Sequence, residues 1–258
     1  MIKNILQYRD LLFMLTMRDI RVRYKQAAMG FLWAIFMPVV AVLAGVLIKK
    51  AMSVFSGRPM ELEGIITISV KVLPWTFFVS ALKFSVQTLV GNSSLVTKIY
   101  FPRVVLPLSA ILACLFDFAI AVGVLAILLT IFKLGLSVMI LWLPLIIFFL
   151  VLFTTGLGVL LASANLFFRD IKYVVEVILM FGIFFTPVFY DAYMFGEWKN
   201  YILLNPVGSL LEAINAVVVL KQAPDVFWLS YAGVVSVSMF FLGMMVFHKQ
   251  EPFFAENV

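Results

Sequence analysis

Residues 104–132 form one apolar run that holds a single charged side chain, Asp117. As an α-helix this run would reach about 43 Å, beyond the roughly 30 Å hydrocarbon core of a bilayer, so it must tilt or project out of the membrane. Four more stretches have membrane-spanning length. They are 31–48, closed by Lys49 and Lys50; 72–90, interrupted by Lys83; a run within 141–166, closed by Arg169, Asp170 and Lys172; and 227–247. In lipid every backbone N–H and C=O must find a partner inside the protein, which over runs of this length means helices. Composition agrees, because 64% hydrophobic and 12% charged residues leave too little polar surface to clothe a water-soluble globule. The expected fold is an all-α polytopic membrane protein.

Before the last run the regularity fails. Residues 171–185 would make a helix of about 22 Å that barely crosses, and Thr186 and Pro187 follow it. Residues 201–220 are long enough to span, but Asn205, Ser209, Glu212 and Asn215 step along it by four, three and three and so share one helix face. A lone lipid-facing span would not carry that stripe. Counted as a span, the segment gives seven crossings; counted as a re-entrant or surface helical pair, six. With the N-terminus inside, the cytoplasmic segments hold Lys3, Arg9, Arg18, Arg21, Arg23, Lys25, Lys98, Arg103, Arg169, Lys172 and Lys249, against Lys49, Lys50, Arg58, Lys133, Lys199 and Lys221 outside. That bias orients the chain. The choice between six and seven hangs on His248 and Lys249 alone.

Ahead of the first span, Lys3, Gln7, Asp10, Arg18, Arg21 and Lys25 recur at spacings of three, four or their sums, and Leu6, Phe13, Met17, Ile20 and Tyr24 make a second stripe at the same period. A helix with those faces lies along a membrane surface, its cations towards anionic headgroups; on charge alone it reads equally well as a positive-inside anchor. The short apolar run 11–17 has no small-residue cleavage site after it, so it is read as retained rather than as a signal peptide.

The residue inventory excludes several chemistries. One cysteine, Cys114, can form no intrachain disulfide, and one histidine, His248, leaves no cluster for a metal. No Gly-x-x-x-x-Gly-Lys-Ser/Thr loop occurs, so if ATP drives the protein another polypeptide binds it. A membrane phosphatase or glycosyltransferase would need acid, base and phosphate-binding groups together, and residues 186–226 offer Asp191, Glu197 and Glu212 without histidine or arginine. Two intramembrane ions stand out. Lys83 and Asp117 each lie some 16–20 Å along their helices, so antiparallel neighbours would bring them level as a structural ion pair. Glu176 is open between a structural and a proton-handling role.

Residue order is more specific than charge. Arg18, Asp19, Ile20, Arg21, Val22, Arg23, Tyr24, Lys25 and Gln26, followed by Gly30, Trp33 and Pro38, resemble the N-terminal signature of the polysaccharide-exporting ABC-2 type permeases, the O-antigen and teichoic-acid group. Further pieces follow in that family's order. They are Lys98, Ile99, Tyr100, Phe101, Pro102 and Arg103 with Pro107; Asn165 to Ile171; Thr186, Pro187, Val188, Phe189 and Tyr190; Asn205, Pro206 and Val207; and the tail from Phe247 to Glu256.

The resemblance implies six transmembrane helices in an ABC-2 exporter fold, with a re-entrant helical pair before the last span. Residues 1–30 would be a cytoplasmic amphipathic interface helix using Arg18, Asp19, Arg21, Arg23, Tyr24 and Lys25. Residues 31–247 would be the transmembrane domain and 248–258 a cytoplasmic tail. Within it, 92–103 would couple to an ATPase through Lys98, Tyr100, Phe101, Pro102 and Arg103, an aromatic knob between cations suited to a protein groove. Outer-leaflet gate helices would occupy 186–226, with Thr186, Pro187, Tyr190, Asn205, Pro206 and Glu212. The chain would be no enzyme and hold no cofactor, ATP and Mg²⁺ being bound by two copies of a separate ABC ATPase. It would sit in a bacterial inner (plasma) membrane with both termini cytoplasmic, bind no nucleic acid, and export a lipid-linked polysaccharide of O-antigen type. A homodimer is expected, because six helices can hardly enclose a polymer-wide channel. The 27 Phe suit a lining on which sugar rings slide, although most of them would face lipid or pack between helices. A teichoic-acid or capsule exporter is the alternative within the group, with a small-drug exporter further off.

Overall fold

The computed structural model describes residues 7–25, 32–56, 62–99, 101–131 and 137–254. Among them there is no strand. The helices in order are α1 (Arg9–Lys25), α2 (Trp33–Ser56), α3 (Leu62–Gly91), α4 (Ser93–Lys98), α5 (Val105–Ile131), α6 (Leu143–Phe167), α7 (Ile171–Phe185), α8 (Lys199–Leu203), α9 (Pro206–Val218) and α10 (Val226–Gln250). Single 3₁₀ stretches precede α6 (Val138–Trp142), precede α8 (Ala192–Trp198) and follow α10 (Glu251–Phe253).

Local chemistry sets several boundaries. Asn205 caps α9 by accepting from the Val207 N–H at 3.1 Å, and Pro206 opens the helix where its missing N–H costs nothing. Asp225 caps α10 by accepting from the Phe227 N–H at 3.1 Å, while His248 and Lys249 sit in its last turn against the negative end of the dipole. Within the second 3₁₀ stretch, Gly196 takes φ 54° and kinks the chain, a conformation that costs glycine little.

Four helical stretches are long and apolar enough to cross a bilayer: Gly64–Gly91, Val105–Ile127, Val138–Phe167 and Val226–Phe253. The segment 201–220, long enough on paper to span, is not one helix: α8 ends at Leu203 and α9 begins at Pro206. With 15 and 13 residues, α7 and α9 reach only about 22 Å and 20 Å.

The central helix is α3, which packs on α2, α5, α6, α7 and α9. The closest helix pair is α6 with α10, and its cause is two glycines. A Cβ on Gly156 would lie 2.5 Å from the Met239 carbonyl oxygen and 2.5 Å from Phe240 Cα, and one on Gly243 would run into the Gly156 carbonyl. Small residues let the two backbones touch, the usual device where lipid removes the hydrophobic drive between helices.

Two apolar cores result. The larger runs through α3, α5, α6, α9 and α10 and includes Leu82, Ile111, Leu150 and Leu210. The smaller, at the end of the bundle that carries α4 and the chain's tail, joins Leu15, Leu89, Val96, Phe101, Leu166, Phe247 and Phe254.

Candidate functional site

At the opposite end from α4, the segment after α7 is tied to the centre of the bundle by one lysine. Lys71 on α3 is fully buried and uses all three of its protons, donating to Asp191 Oδ1 at 2.6 Å, Glu212 Oε1 at 3.0 Å and the Tyr190 carbonyl at 3.1 Å. Glu212 Oε1 also accepts from the Ala192 N–H at 2.7 Å. A lysine with no exposed surface persists only when paired in this way.

The expected gate residues surround that cluster. Thr186 donates to the Gly182 carbonyl and accepts from Asn205 Nδ2 at 2.8 Å, which joins the end of α7 to the start of α9. Pro187 packs so tightly on Gly208 that a Cβ there would come within 2.9 Å of the ring. Tyr190 donates to the Phe184 carbonyl at 3.1 Å. The polar stripe points inward, as Ser209, Glu212 and Asn215 are all buried. Thus Thr186, Pro187, Tyr190, Asn205, Pro206 and Glu212 do form one constellation, with Lys71 and Asp191 added.

Asp117 has a different partner from the one expected. It meets Arg23 of α1, Nη1 to Oδ2 at 2.8 Å, and accepts from the Tyr24 hydroxyl at 2.5 Å. Arg23 also stands over the Phe84 ring at 4.0 Å and donates to Cys114 Sγ at 3.4 Å. No ion pair joins Lys83 to Asp117 among the described residues. The reason is rotational. α3 meets α5 through Phe77 on Phe118, ring centroids 5.2 Å apart, and Lys83 lies six residues on, which leaves it about 120° round the helix from that contact.

The N-terminal helix is correspondingly less of a surface helix than its stripes suggest. Asp19 is bound to Arg18 at 2.9 Å and accepts from Ser109 of α5 at 3.0 Å, so Asp19 and Arg23, one turn apart, lock α1 along the early turns of α5. Burial, with the bond to Asp117, pushes the Tyr24 phenol above its usual range and keeps it a neutral donor. Arg21 and Lys25 remain exposed.

The expected coupling segment is also corrected. Tyr100 lies outside the described residues, and Phe101 is 8% exposed inside the smaller core, so it anchors the segment instead of projecting as a knob. Lys98 and Ile99 are exposed. Pro102 is half-buried, and Arg103 is clipped to the tail: its N–H donates to Glu251 Oε1 at 2.9 Å and its guanidinium to the Glu251 carbonyl at 2.5 Å. Phe254 completes this joint, 5.0 Å from the Phe247 ring and 6.0 Å from Phe167.

A family model described as ABC-2 type transporter matches residues 10–219. The chain belongs to the ABC-2 type transporter family. It is similar over its whole length to curated proteins named O-antigen export system permease protein RfbA. The one from Myxococcus xanthus is 26% identical over 261 residues, covering 100% of this chain and 99% of the relative. One from Klebsiella pneumoniae is 28% identical over 249 residues, covering 96% and 94%.

The ABC-2 match runs from the first turn of α1 to the end of α9, so it contains both the Lys71 cluster and the Asp117 lock. Glu251 and Phe254 lie beyond it. Lys71, Asp191 and Glu251 were missed as site residues in the sequence. Lys71 carried a usable signal, because a lone lysine within an apolar stretch requires a carboxylate somewhere, and Glu212 on the inward stripe was the available one. Glu251, on the short tail, carried none.

Proposed function

We propose that the chain is the membrane-spanning permease subunit of an ATP-driven exporter, moving a lipid-linked polysaccharide of O-antigen type across a bacterial inner membrane. It works as a homodimer with its channel on the two-fold axis, served by two copies of a separate ABC ATPase that bind ATP and Mg²⁺. Both termini are cytoplasmic. In this reading α2 and α7 complete six crossings with the four long apolar helices, and the 3₁₀ stretch, α8 and α9 form the outer gate within 186–226. The segment 92–103, braced on the tail through Arg103 and Glu251, meets the ATPase with its exposed Lys98 and Ile99. Because ATP acts in another subunit, it can drive this one only through contacts that differ between states.

The observation that carries the reading is the full-length likeness to O-antigen export permeases, which spans gate, lock and tail together. The test is a strain lacking this chain. Polymer should accumulate inside it and return to the surface on complementation, and the chain should co-purify as a dimer with an ABC ATPase. Unchanged surface polymer in the deletion strain, or a chain that purifies as a monomer without an ATPase, would refute the proposal.

A further inference from the structure

Among the charges without a partner in the described structure, two line one cleft. Lys83 on α3 and Glu176 on α7 are both exposed, and neither makes an ion pair or hydrogen bond among the described residues. They line the same open cleft of about 450 Å³, together with Trp75, Val79, Tyr173 and Met180. Trp75, Val79 and Lys83 recur every four residues on α3; Tyr173, Glu176 and Met180 recur at three and four on α7. The two helices therefore present facing stripes. Lys83 is about 12 Å along α3 from Gly91 and Glu176 about 8 Å along α7 from Ile171, so with α7 as one of the six crossings proposed above both stand at membrane depth.

An unpaired charge at that depth is expensive against lipid and is found where it faces water or a polar cargo. The cleft's chemistry selects among occupants. An acyl chain would want no charge, and a simple ion would want one sign. Here an ammonium donor and a carboxylate acceptor flank a tyrosine that is 58% exposed, with Lys172 over one face of its ring at 4.6 Å, above an apolar floor that includes Leu179 and Ile183. A pyranose ring matches that mixture. Its carbon face is apolar, and each rim hydroxyl both donates and accepts.

We infer that the α3–α7 cleft is a glycan subsite, in which Lys83 and Glu176 hydrogen-bond the hydroxyls of successive sugars and Tyr173 takes a ring face. The inference rests on the export reading above and adds to it the wall along which the polymer passes. Trp75 bounds the subsite on the α3 side: it is buried and packs on Gly182, where a Cβ would lie 3.3 Å from the indole.

The sole cysteine, Cys114, is buried, so a Cys114→Ala background allows single-cysteine reporters. Lys83→Cys, Glu176→Cys and the neighbouring Val177→Cys are made there, with Phe241→Cys on α10 as a lipid-facing control, and only variants that still export are scored. In inverted vesicles, a charged methanethiosulfonate reagent should modify positions 83 and 176 but not 241. Modification should slow at least fivefold in vesicles from cells making the polymer compared with cells blocked at the first glycosyl transfer. Unreactive positions 83 and 176 mean a dry cleft and overturn the inference. Equal rates with and without polymer mean a wet cleft that cargo does not visit, and overturn it too. If 83 and 176 destroy export, position 177 decides by the same comparison. A failed protection experiment in cells that export through this chain leaves the export reading standing and removes the cleft alone.

Discussion

Lys71→Met is the most informative single change in the molecule. Methionine is close to lysine in volume and unbranched, so little packing is lost, and what the substitution removes is the one cation that faces the two carboxylates among the described residues. Asp191 keeps 32% of its side chain exposed and can turn to water, but Glu212 keeps 7% and is left with one donor, the Ala192 N–H. Removing one member of a buried pair costs about 3–5 kcal/mol, because the remaining charge is stranded, and the burden here falls on Glu212. Neutralising the stranded groups should reverse most of that. In Lys71→Met with Glu212→Gln and Asp191→Asn, the amide at 212 can still accept from Ala192, and the stability should return to within about 1 kcal/mol of the parent, as replaced ion pairs often do. Unfolding by SDS titration in mixed micelles measures both variants. A loss of less than about 1 kcal/mol in Lys71→Met, or a triple variant no more stable than the single one, would show that Glu212 is not stranded. If 186–226 is the gate, the single variant should also leak or fail to export, whereas the triple variant restores the fold without restoring the latch.

Two further outcomes follow from packing. In a double-mutant cycle, Arg23→Met and Asp117→Asn should couple by about 1–3 kcal/mol, since they share one bonded pair, whereas Lys83→Met and Asp117→Asn should add independently; coupling of the second pair with none in the first would reverse the assignment made from the Arg23 geometry. Gly243→Ala should cost about 1–3 kcal/mol in SDS unfolding by forcing α10 off the Gly156 backbone, while Gly123→Ala, where a Cβ meets nothing within 4 Å, should be neutral or slightly stabilising; equal effects at the two glycines would rule out the close crossing.

Length and hydropathy are one-dimensional properties, and what depends on them was legible in the chain. The run around Asp117 had to be a helix longer than a bilayer is thick, and α5 is; 201–220 could be read as one span or as a helical pair, and the structure breaks it between Leu203 and Pro206. The inward turn of Ser209, Glu212 and Asn215 was equally available, because period 3.6 fixes which residues of one helix share a face. The partners of the charges were not. Whether Asp117 meets Lys83 or Arg23 depends on which neighbour α5 packs against and on the rotation of α3 about its own axis, and a rotation of about 120° carries no penalty visible in sequence. Phe101 illustrates the same limit: between two cations it read as a projecting knob, yet the tail folds back through Glu251 and Phe254 and makes it core. Pairing and burial are relations between elements far apart in the chain, and only packing decides them.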